Sequence, residues 1–206
     1  MLKIKKYRKW LLIFLLLLIF LWLTTVVTTH DTLWIDGIVY NEIICLYSPS
    51  ATRFFIWCTF LWSTYMIILV ALLTTVLFYR KNRIKIYSLI PFFTPMIIYI
   101  INRVIKNIVQ RPRPNILRIV NETSYSFPSW HTMESLAVYW VLIMFIALTI
   151  KNKAIKYIWI CLLSLIIILI MVSRIYLWVH YFTDIIWGIL LSFCYLIYIS
   201  MFLKKF

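Results

Sequence analysis

Glycine is nearly absent from the sequence: only Gly37 and Gly188 occur among 206 residues. Loops that hold nucleotide phosphates need several glycines at fixed spacing, so neither a Walker A loop nor a G-x-G-x-x-G turn is present. ATP-driven chemistry therefore has no support. The four cysteines show no C-x-x-C spacing and lie mostly inside apolar runs. This pattern argues against a disulfide framework or a zinc site.

Charged residues are also scarce, at 13% of the chain, whereas 65% of the residues are hydrophobic. A soluble domain is about a quarter charged. The composition excludes a disordered chain, a nucleic-acid-binding domain and an ordinary cytosolic enzyme. Because one membrane crossing takes about 20 apolar residues, we expect one integral membrane domain that spans residues 1–206.

Long apolar runs predict an all-α fold, a polytopic membrane protein with six transmembrane helices and a helical-bundle core. The predicted spans are 10–29, 54–79, 86–102, 132–150, 157–173 and 185–203.

The basic residues are distributed unevenly along the chain. Fourteen of the 21 form four clusters that contain none of the six acidic residues: 3–9, 80–85, 151–156 and 204–205. Cytoplasmic loops carry such an excess of Lys and Arg. The clusters predict a multi-pass cell-membrane protein with both termini in the cytoplasm. Segments 30–53, 103–131 and 174–181 are then outside.

The first outer segment has the pattern of a short helix that lies at the membrane interface. Its apolar and polar residues alternate: Leu33, Ile35, Ile38 and Ile43 are interleaved with Asp36, Asn41 and Glu42.

Three basic residues without matching carboxylates, Lys106, Arg113 and Arg174, fall on the predicted outer face. Such a set needs an anionic partner, and phosphate fits the arginine fork well. Around a phosphoryl group these cations can stabilise the charge of its equatorial oxygens. The sequence offers no carboxylate cluster for Mg²⁺, so no metal or other cofactor is expected.

Two histidines lie at the same face. His180 and Asp184 are four residues apart, which places them on one side of a helix entry. Asp184 can accept a hydrogen bond from one ring nitrogen, and the other nitrogen is then free to attack phosphorus. His131 can protonate the leaving oxygen. Ser129 and the backbone N–H groups at that helix start can donate hydrogen bonds to phosphate.

Three motifs span a core over residues 106–184. Lys106 to Pro114 fits K-x₆-R-P, Pro128 to His131 fits P-S-G-H at three of four positions, and Ser173 to Asp184 fits S-R-x₅-H-x₃-D. In these motifs and their order, the sequence resembles the type 2 phosphatidic acid phosphatases. These are the lipid phosphate phosphatases of the acid phosphatase and vanadium haloperoxidase superfamily.

This resemblance implies a role for each motif residue. His180 becomes phosphohistidine, Asp184 orients it, and His131 is the general acid. Lys106, Arg113, Ser129 and Arg174 bind phosphate, as does the backbone at Trp130. Trp130 stands where the family has glycine, and it would be strained if the backbone φ there were positive.

Two further charged residues lie near the motifs. Seven residues before Arg111 lies Val104, so Arg111 does not fit the first motif. We expect Arg111 to contact a lipid headgroup or solvent. Glu134 lies inside an apolar run, where an isolated carboxylate is costly, so we expect it to face a cation or the polar cavity. Pairing with an arginine is the favoured interpretation, and tuning of His131 is the alternative.

The sequence therefore predicts an enzyme, a metal-independent phosphatase of membrane lipids. Phosphatidic acid, phosphatidylglycerol phosphate and polyprenyl diphosphate are possible substrates. Its partners are the lipid bilayer and the lipid phosphate, not nucleic acid, and no oligomeric state is assigned. A lipid phosphotransferase with the same site is one alternative. A non-catalytic lipid-phosphate-binding membrane protein is another, and Trp130 is its only support.

Overall fold

A computed structural model describes residues 2–29, 32–81, 85–115, 119–120 and 122–203. All regular structure in these ranges is helical, which confirms the predicted all-α fold. The α-helices are α1 (Leu2–Thr29), α2 (Trp34–Ile44), α3 (Pro49–Phe60), α4 (Thr64–Lys81), α5 (Ile90–Val109), α6 (Trp130–Thr149), α7 (Lys153–Tyr176) and α8 (Phe182–Leu203). A short 3₁₀-helix, Lys85–Leu89, precedes α5.

Six of these helices are long and apolar enough to cross a membrane: α1, α4, α5, α6, α7 and α8. α6 lies at the centre and packs against α4, α5, α7 and α8, while α1 packs against α8. Met133, Ala137 and Val141 of α6 are buried at this centre. The multi-pass architecture predicted from the apolar runs is therefore confirmed.

The predicted second span, 54–79, is wrong as a continuous helix. α3 ends at Phe60 and a turn separates it from α4, which begins at Thr64. Ser63 lies in this turn, and its hydroxyl accepts a hydrogen bond from the backbone N–H of Met66 at 3.4 Å. Serine favours this capping position because its side chain satisfies an N–H that has no partner within the helix. The 12-residue α3 is too short to cross a bilayer and packs against α7.

The third span is longer than predicted, because α5 continues to Val109. Pro91 lies in its first turn, where the missing N–H costs no helical hydrogen bond. The extension brings Lys106 into the last turn of the helix. The end of α5, the start of α6, the end of α7 and the start of α8 consequently meet on one side of the bundle.

A helix lies in the first outer segment as predicted, but its polar residues do not all face solvent. In α2, Trp34 is 77% exposed whereas Asp36 is only 6% exposed. Asp36 points towards α8, where the backbone N–H of Thr183 donates to Oδ1 at 2.9 Å. The alternating pattern carries no information about the donors that α8 supplies, so it could not predict the burial of Asp36.

Candidate active site

The predicted site residues lie together at the side of the bundle where α5 to α8 meet. Trp130 is half-buried, and the other seven are each at most 8% exposed: Lys106, Arg113, Ser129, His131, Arg174, His180 and Asp184. Buried charged groups require partners, because an unpaired charge in an apolar interior is costly. The arrangement of these partners defines what the site can bind.

His180 is held between a carboxylate and an arginine. Its Nδ1 lies 3.3 Å from Oδ2 of Asp184, and its Nε2 lies 3.3 Å from Nη1 of Arg113. A carboxylate accepts hydrogen bonds, so Nδ1 carries the proton and Nε2 keeps its lone pair. This tautomer presents Nε2 on the side of the basic residues.

The surroundings of His180 also control its charge. Burial lowers the pKa of His180 well below its ordinary value, and the positive charges of Arg113, Lys106 and Arg174 lower it further. The ring is therefore neutral at neutral pH, which is the form that can attack an electrophile.

Asp184 is fixed by several donors in addition to His180. The backbone N–H of Tyr181 donates to Oδ2 at 3.0 Å, and the Ser126 hydroxyl donates to the same oxygen. Arg111 donates to Oδ1 through Nη1 at 2.6 Å. With both oxygens occupied, the carboxylate has little freedom to rotate away from the imidazole.

The loop that precedes α6 positions two of the cations. Arg113 donates through Nε to the Ser124 carbonyl at 2.7 Å, through Nη2 to the Ser124 hydroxyl at 3.0 Å, and through Nη1 to the Val179 carbonyl at 2.6 Å. Lys106 donates to the same Ser124 hydroxyl at 3.4 Å and to the Tyr125 carbonyl. These neutral partners fix the two side chains without cancelling their charge.

Glu122 is an acidic member of the site that the sequence argument missed. Its Oε1 accepts from Nη2 of Arg174 at 2.8 Å, and its Oε2 lies 3.9 Å from Nη2 of Arg113. The prediction that these cations lack a carboxylate was therefore wrong, since Glu122 is close in space although distant from Arg174 in sequence. The Glu122 side chain is 28% exposed, so an anion that enters from solvent can compete with it. Arg174 Nε is buried without a partner among the described residues and can donate to such an anion.

The start of α6 supplies the remaining polar groups. Ser129 caps the helix, because its Oγ accepts from the Thr132 hydroxyl at 3.1 Å and from the Thr132 N–H at 3.5 Å. The first backbone N–H groups of a helix have no acceptor within it and favour anions. The His131 ring lies 6.4 Å from the His180 ring and packs against Trp62, with 3.5 Å between the ring centroids.

The backbone at Trp130 is not in the left-handed region. Within the described ranges, positive φ angles at residues other than glycine occur only at Gln110 and Trp178. Trp130 is the first residue of α6 and has an ordinary helical conformation, so the strain considered above does not arise. Its ring packs edge-to-face against Trp62 and Tyr99, at centroid distances of 5.0 and 5.4 Å.

Arg111 does not contact a lipid headgroup or solvent as expected. It is only 2% exposed and forms ion pairs with Asp36 and Asp184. The motif spacing selects Arg113 as the motif arginine but carries no information about the partners of Arg111. The Arg-Pro-Arg-Pro sequence, with a second arginine beside the motif arginine, was the one signal that could have identified it.

Glu134 also departs from expectation. It is buried in α6, yet within the described part of the chain no arginine or lysine lies within ion-pair distance of it. The same residues contain no group of three His, Cys, Asp or Glu side chains that could hold a metal ion.

A cavity of about 540 Å³ reaches His180 from the side of α2. Asp36 and Tyr40 of α2, Asn115 and Tyr181 also line it. Lys106, His131 and Arg174 do not, so the cavity and the cluster of cations approach His180 from different directions.

Six apolar helices define a multi-pass membrane protein, and buried cations and two histidines lie together at one end of its bundle. Residues 87–206 match the PAP2 superfamily, which is more than half of the chain. The chain belongs to this family, and the resemblance to the type 2 phosphatidic acid phosphatases is confirmed.

Individual relatives agree with this assignment. Phosphatidylglycerophosphatase B of Bacillus subtilis (strain 168) is 36% identical over 115 residues, which are 54% of each chain. The alignment thus spans about half the length of this curated relative. The crystal structure of the first transmembrane PAP2 type phosphatidylglycerolphosphate phosphatase from Bacillus subtilis superposes with a TM-score of 0.77 at 25% identity, over 94% of this chain and 96% of that one. Aquifex aeolicus LpxE shares the fold, with a TM-score of 0.62 at 22% identity, over 83% of this chain and 98% of its own.

Proposed function

We propose that the protein hydrolyses phosphate monoesters or diphosphates of membrane lipids, through a phosphohistidine at His180 and without a metal ion. One observation carries the proposal: the His180 ring is bonded to Asp184 through Nδ1 and faces Arg113 through Nε2, beside two further buried cations. Family membership and the name of the Bacillus relative support a lipid phosphatase.

The reaction proceeds in two displacements. The substrate phosphate binds to Lys106, Arg113 and Arg174, to the Ser129 hydroxyl and to the N–H groups at the start of α6, in competition with Glu122. The Nε2 lone pair of His180 attacks phosphorus, and the bond from phosphorus to the lipid oxygen breaks as His131 donates a proton to that oxygen. His131 then takes a proton from water, the oxygen of this water attacks phosphorus, and the P–N bond breaks. Inorganic phosphate leaves, and His180 regains its lone pair.

The membrane position of the site selects the substrate class. The basic clusters support cytoplasmic termini and a site on the outer face of the cell membrane. A lipid phosphate lies at headgroup depth, so such a substrate reaches helix ends without leaving the bilayer. Phosphatidic acid, phosphatidylglycerol phosphate and polyprenyl diphosphate all satisfy this requirement. The names of the curated Bacillus relative and of the similar Bacillus crystal structure favour phosphatidylglycerol phosphate.

A comparison of leaving groups tests the proposal. The purified protein in detergent, with EDTA present, is expected to release phosphate from phosphatidic acid and from p-nitrophenyl phosphate. His180→Asn should abolish release from both. His131→Asn should lose about 100- to 10,000-fold with phosphatidic acid, because an alkoxide needs the proton, but little with p-nitrophenolate, which does not. His30→Asn is the matched control, since His30 has no role in the proposal.

Other outcomes identify the alternatives. Equal loss with both substrates in His131→Asn contradicts the general-acid role, and activity that returns only with Mg²⁺ contradicts the metal-independent mechanism. Tight binding of lipid phosphate without turnover indicates a binding protein. Transfer of the phosphoryl group to an added alcohol in preference to water indicates a phosphotransferase.

A further inference from the structure

Asp36, on the outer helix α2, is buried in a set of four hydrogen-bond donors. The N–H and the hydroxyl of Thr183 donate to Oδ1 and Oδ2, each at 2.9 Å. Oδ2 also accepts from the Leu33 N–H at 3.2 Å and from Nη2 of Arg111 at 3.0 Å. A surface helix thereby places one carboxylate inside the bundle, at the first turn of α8.

Arg111 joins this carboxylate to the site. Its Nη2 is bonded to Asp36, while its Nη1 is bonded to Oδ1 of Asp184 at 2.6 Å and to the Thr183 hydroxyl at 2.9 Å. The Tyr181 ring packs against the guanidinium, 4.0 Å from its central carbon. The planar fork is therefore held in one orientation by two carboxylates and an aromatic face.

The other oxygen of Asp184 faces His180, so a continuous path runs from Asp36 through Arg111 and Asp184 to the imidazole. Asp36 shares the positive charge of Arg111 with Asp184. Without Asp36, that charge would act on Asp184 alone and weaken it as the acceptor for His180 Nδ1–H. The geometry would loosen as well, because Arg111 would lose one of its two anchors.

A purely stabilising role explains this arrangement poorly. A buried ion pair contributes little net stability compared with well-packed apolar side chains, because both charges must be desolvated. The residues 87–206 that match the family do not include Asp36, so the family match assigns it no role. α2 also lines the cavity that opens on His180. This helix therefore lies beside the reacting group in addition to being connected to it through Arg111 and Asp184.

We infer that Asp36 is a positioning residue for His180, acting through Arg111 and Asp184. This inference rests on the proposed function. It makes α2 part of the catalytic unit, although α2 contributes no group that touches the phosphate.

A double-mutant cycle on phosphatidic acid hydrolysis tests the inference. Asp36→Asn keeps the size of the side chain and removes its charge. We expect kcat to fall about 10- to 100-fold, the range typical when a group that orients a reacting residue is lost, with KM nearly unchanged. In an Asp184→Asn background the same substitution should have less than about a threefold effect, because the path to His180 is already broken. Glu42→Gln is the matched control, since it removes an exposed carboxylate from the same helix.

The cycle separates positioning from folding. If Asp36→Asn only lowers the amount of folded protein, its loss of activity will be as large or larger in the Asp184→Asn background, because buried Arg111 then keeps neither carboxylate. That result would show that the inference is wrong. If Asp36→Asn does not fold, Arg111→Lys replaces it in the cycle, because lysine keeps the charge but cannot bond both carboxylates. Its loss of kcat should likewise be smaller in the Asp184→Asn background. Absence of phosphate release by the wild type contradicts the proposed function itself. If the wild type turns over substrate but the effects of the two substitutions on kcat are additive, only the role of Asp36 is contradicted.

Discussion

At the scale of single residues, the proposed chemistry depends on keeping His180 neutral. Its ring is almost fully buried, and three cations lie near it while one carboxylate fixes its tautomer. Each of these features favours the form with a lone pair on Nε2. The same features have a cost at acidic pH, when a buried imidazole must accept a proton among positive charges.

Acid should therefore destabilise the protein through His180. The pKa of His180 is lower in the folded state than its value of about 6.5 in the unfolded chain, so below that value the unfolded state binds more protons. Stability then falls as the pH falls, by up to about 1.4 kcal/mol per pH unit, until the folded-state pKa is reached. The variant His180→Asn lacks this term, so its thermal midpoint should fall less than that of the wild type between pH 7 and pH 5. If the thermal midpoints of the wild type and of His180→Asn fell equally between pH 7 and pH 5, the lowered pKa of His180 would be contradicted.

At the scale of helices, the site depends on close contact between α6 and α8. Ser129, at the start of α6, donates its N–H to the Asp184 carbonyl of α8 at 3.2 Å. One turn further along α8, Gly188 faces the same end of α6. A Cβ at this position would lie 3.1 Å from Thr132 Cγ2 and 3.2 Å from the Ser129 carbonyl oxygen. The absence of a side chain at Gly188 lets the start of α6 approach the helix that carries Asp184.

Gly188→Ala should displace the start of α6. We expect a loss of stability of about 1–3 kcal/mol from overpacking, and a loss of kcat/KM of about tenfold as Ser129 and His131 shift relative to His180. Thermal melting and phosphate release measure the two effects. Gly37→Ala is the control, because a Cβ there meets nothing within 4 Å and alanine favours a helix by up to about 1 kcal/mol. Wild-type activity in Gly188→Ala would show that the contact does not set the site geometry.

At the scale of the whole molecule, the basic clusters predict which face of the membrane carries the site. Arg80 and Lys81 lie in the last turn of α4, and Lys153 begins α7. The cations of the site lie at the opposite ends of the spanning helices. Since Lys and Arg accumulate in cytoplasmic loops, the phosphate-binding end is expected to be outside.

Labelling of single cysteines tests this orientation. After replacement of the four native cysteines, Asn115→Cys should react with a membrane-impermeant maleimide in intact cells, because Asn115 is exposed near the site. Lys153→Cys, exposed at the opposite end, is the control and should react only after permeabilisation. The reverse pattern would place the site on the cytoplasmic face.

Features encoded locally were predictable from the sequence. Apolar runs of spanning length determined the all-α membrane fold, because in a bilayer each crossing helix must satisfy its own backbone hydrogen bonds. The i, i+4 spacing of His180 and Asp184 also needs only the helical repeat. The turn before α4 was missed although Ser63 is a local capping signal, because the hydropathy of the run conceals it.

The tertiary structure alone decided which charges meet. Asp36 and Arg111 are 75 positions apart, and Glu122 and Arg174 are 52 positions apart, so no spacing rule connects them. Sequence alone placed Arg111 among lipid or solvent contacts and Asp36 in a short interfacial helix, while the packing of α2 against α8 buries both. A helical repeat fixes neighbours within about four residues, whereas partners across helices depend on which faces pack together, and that is a property of the assembled bundle.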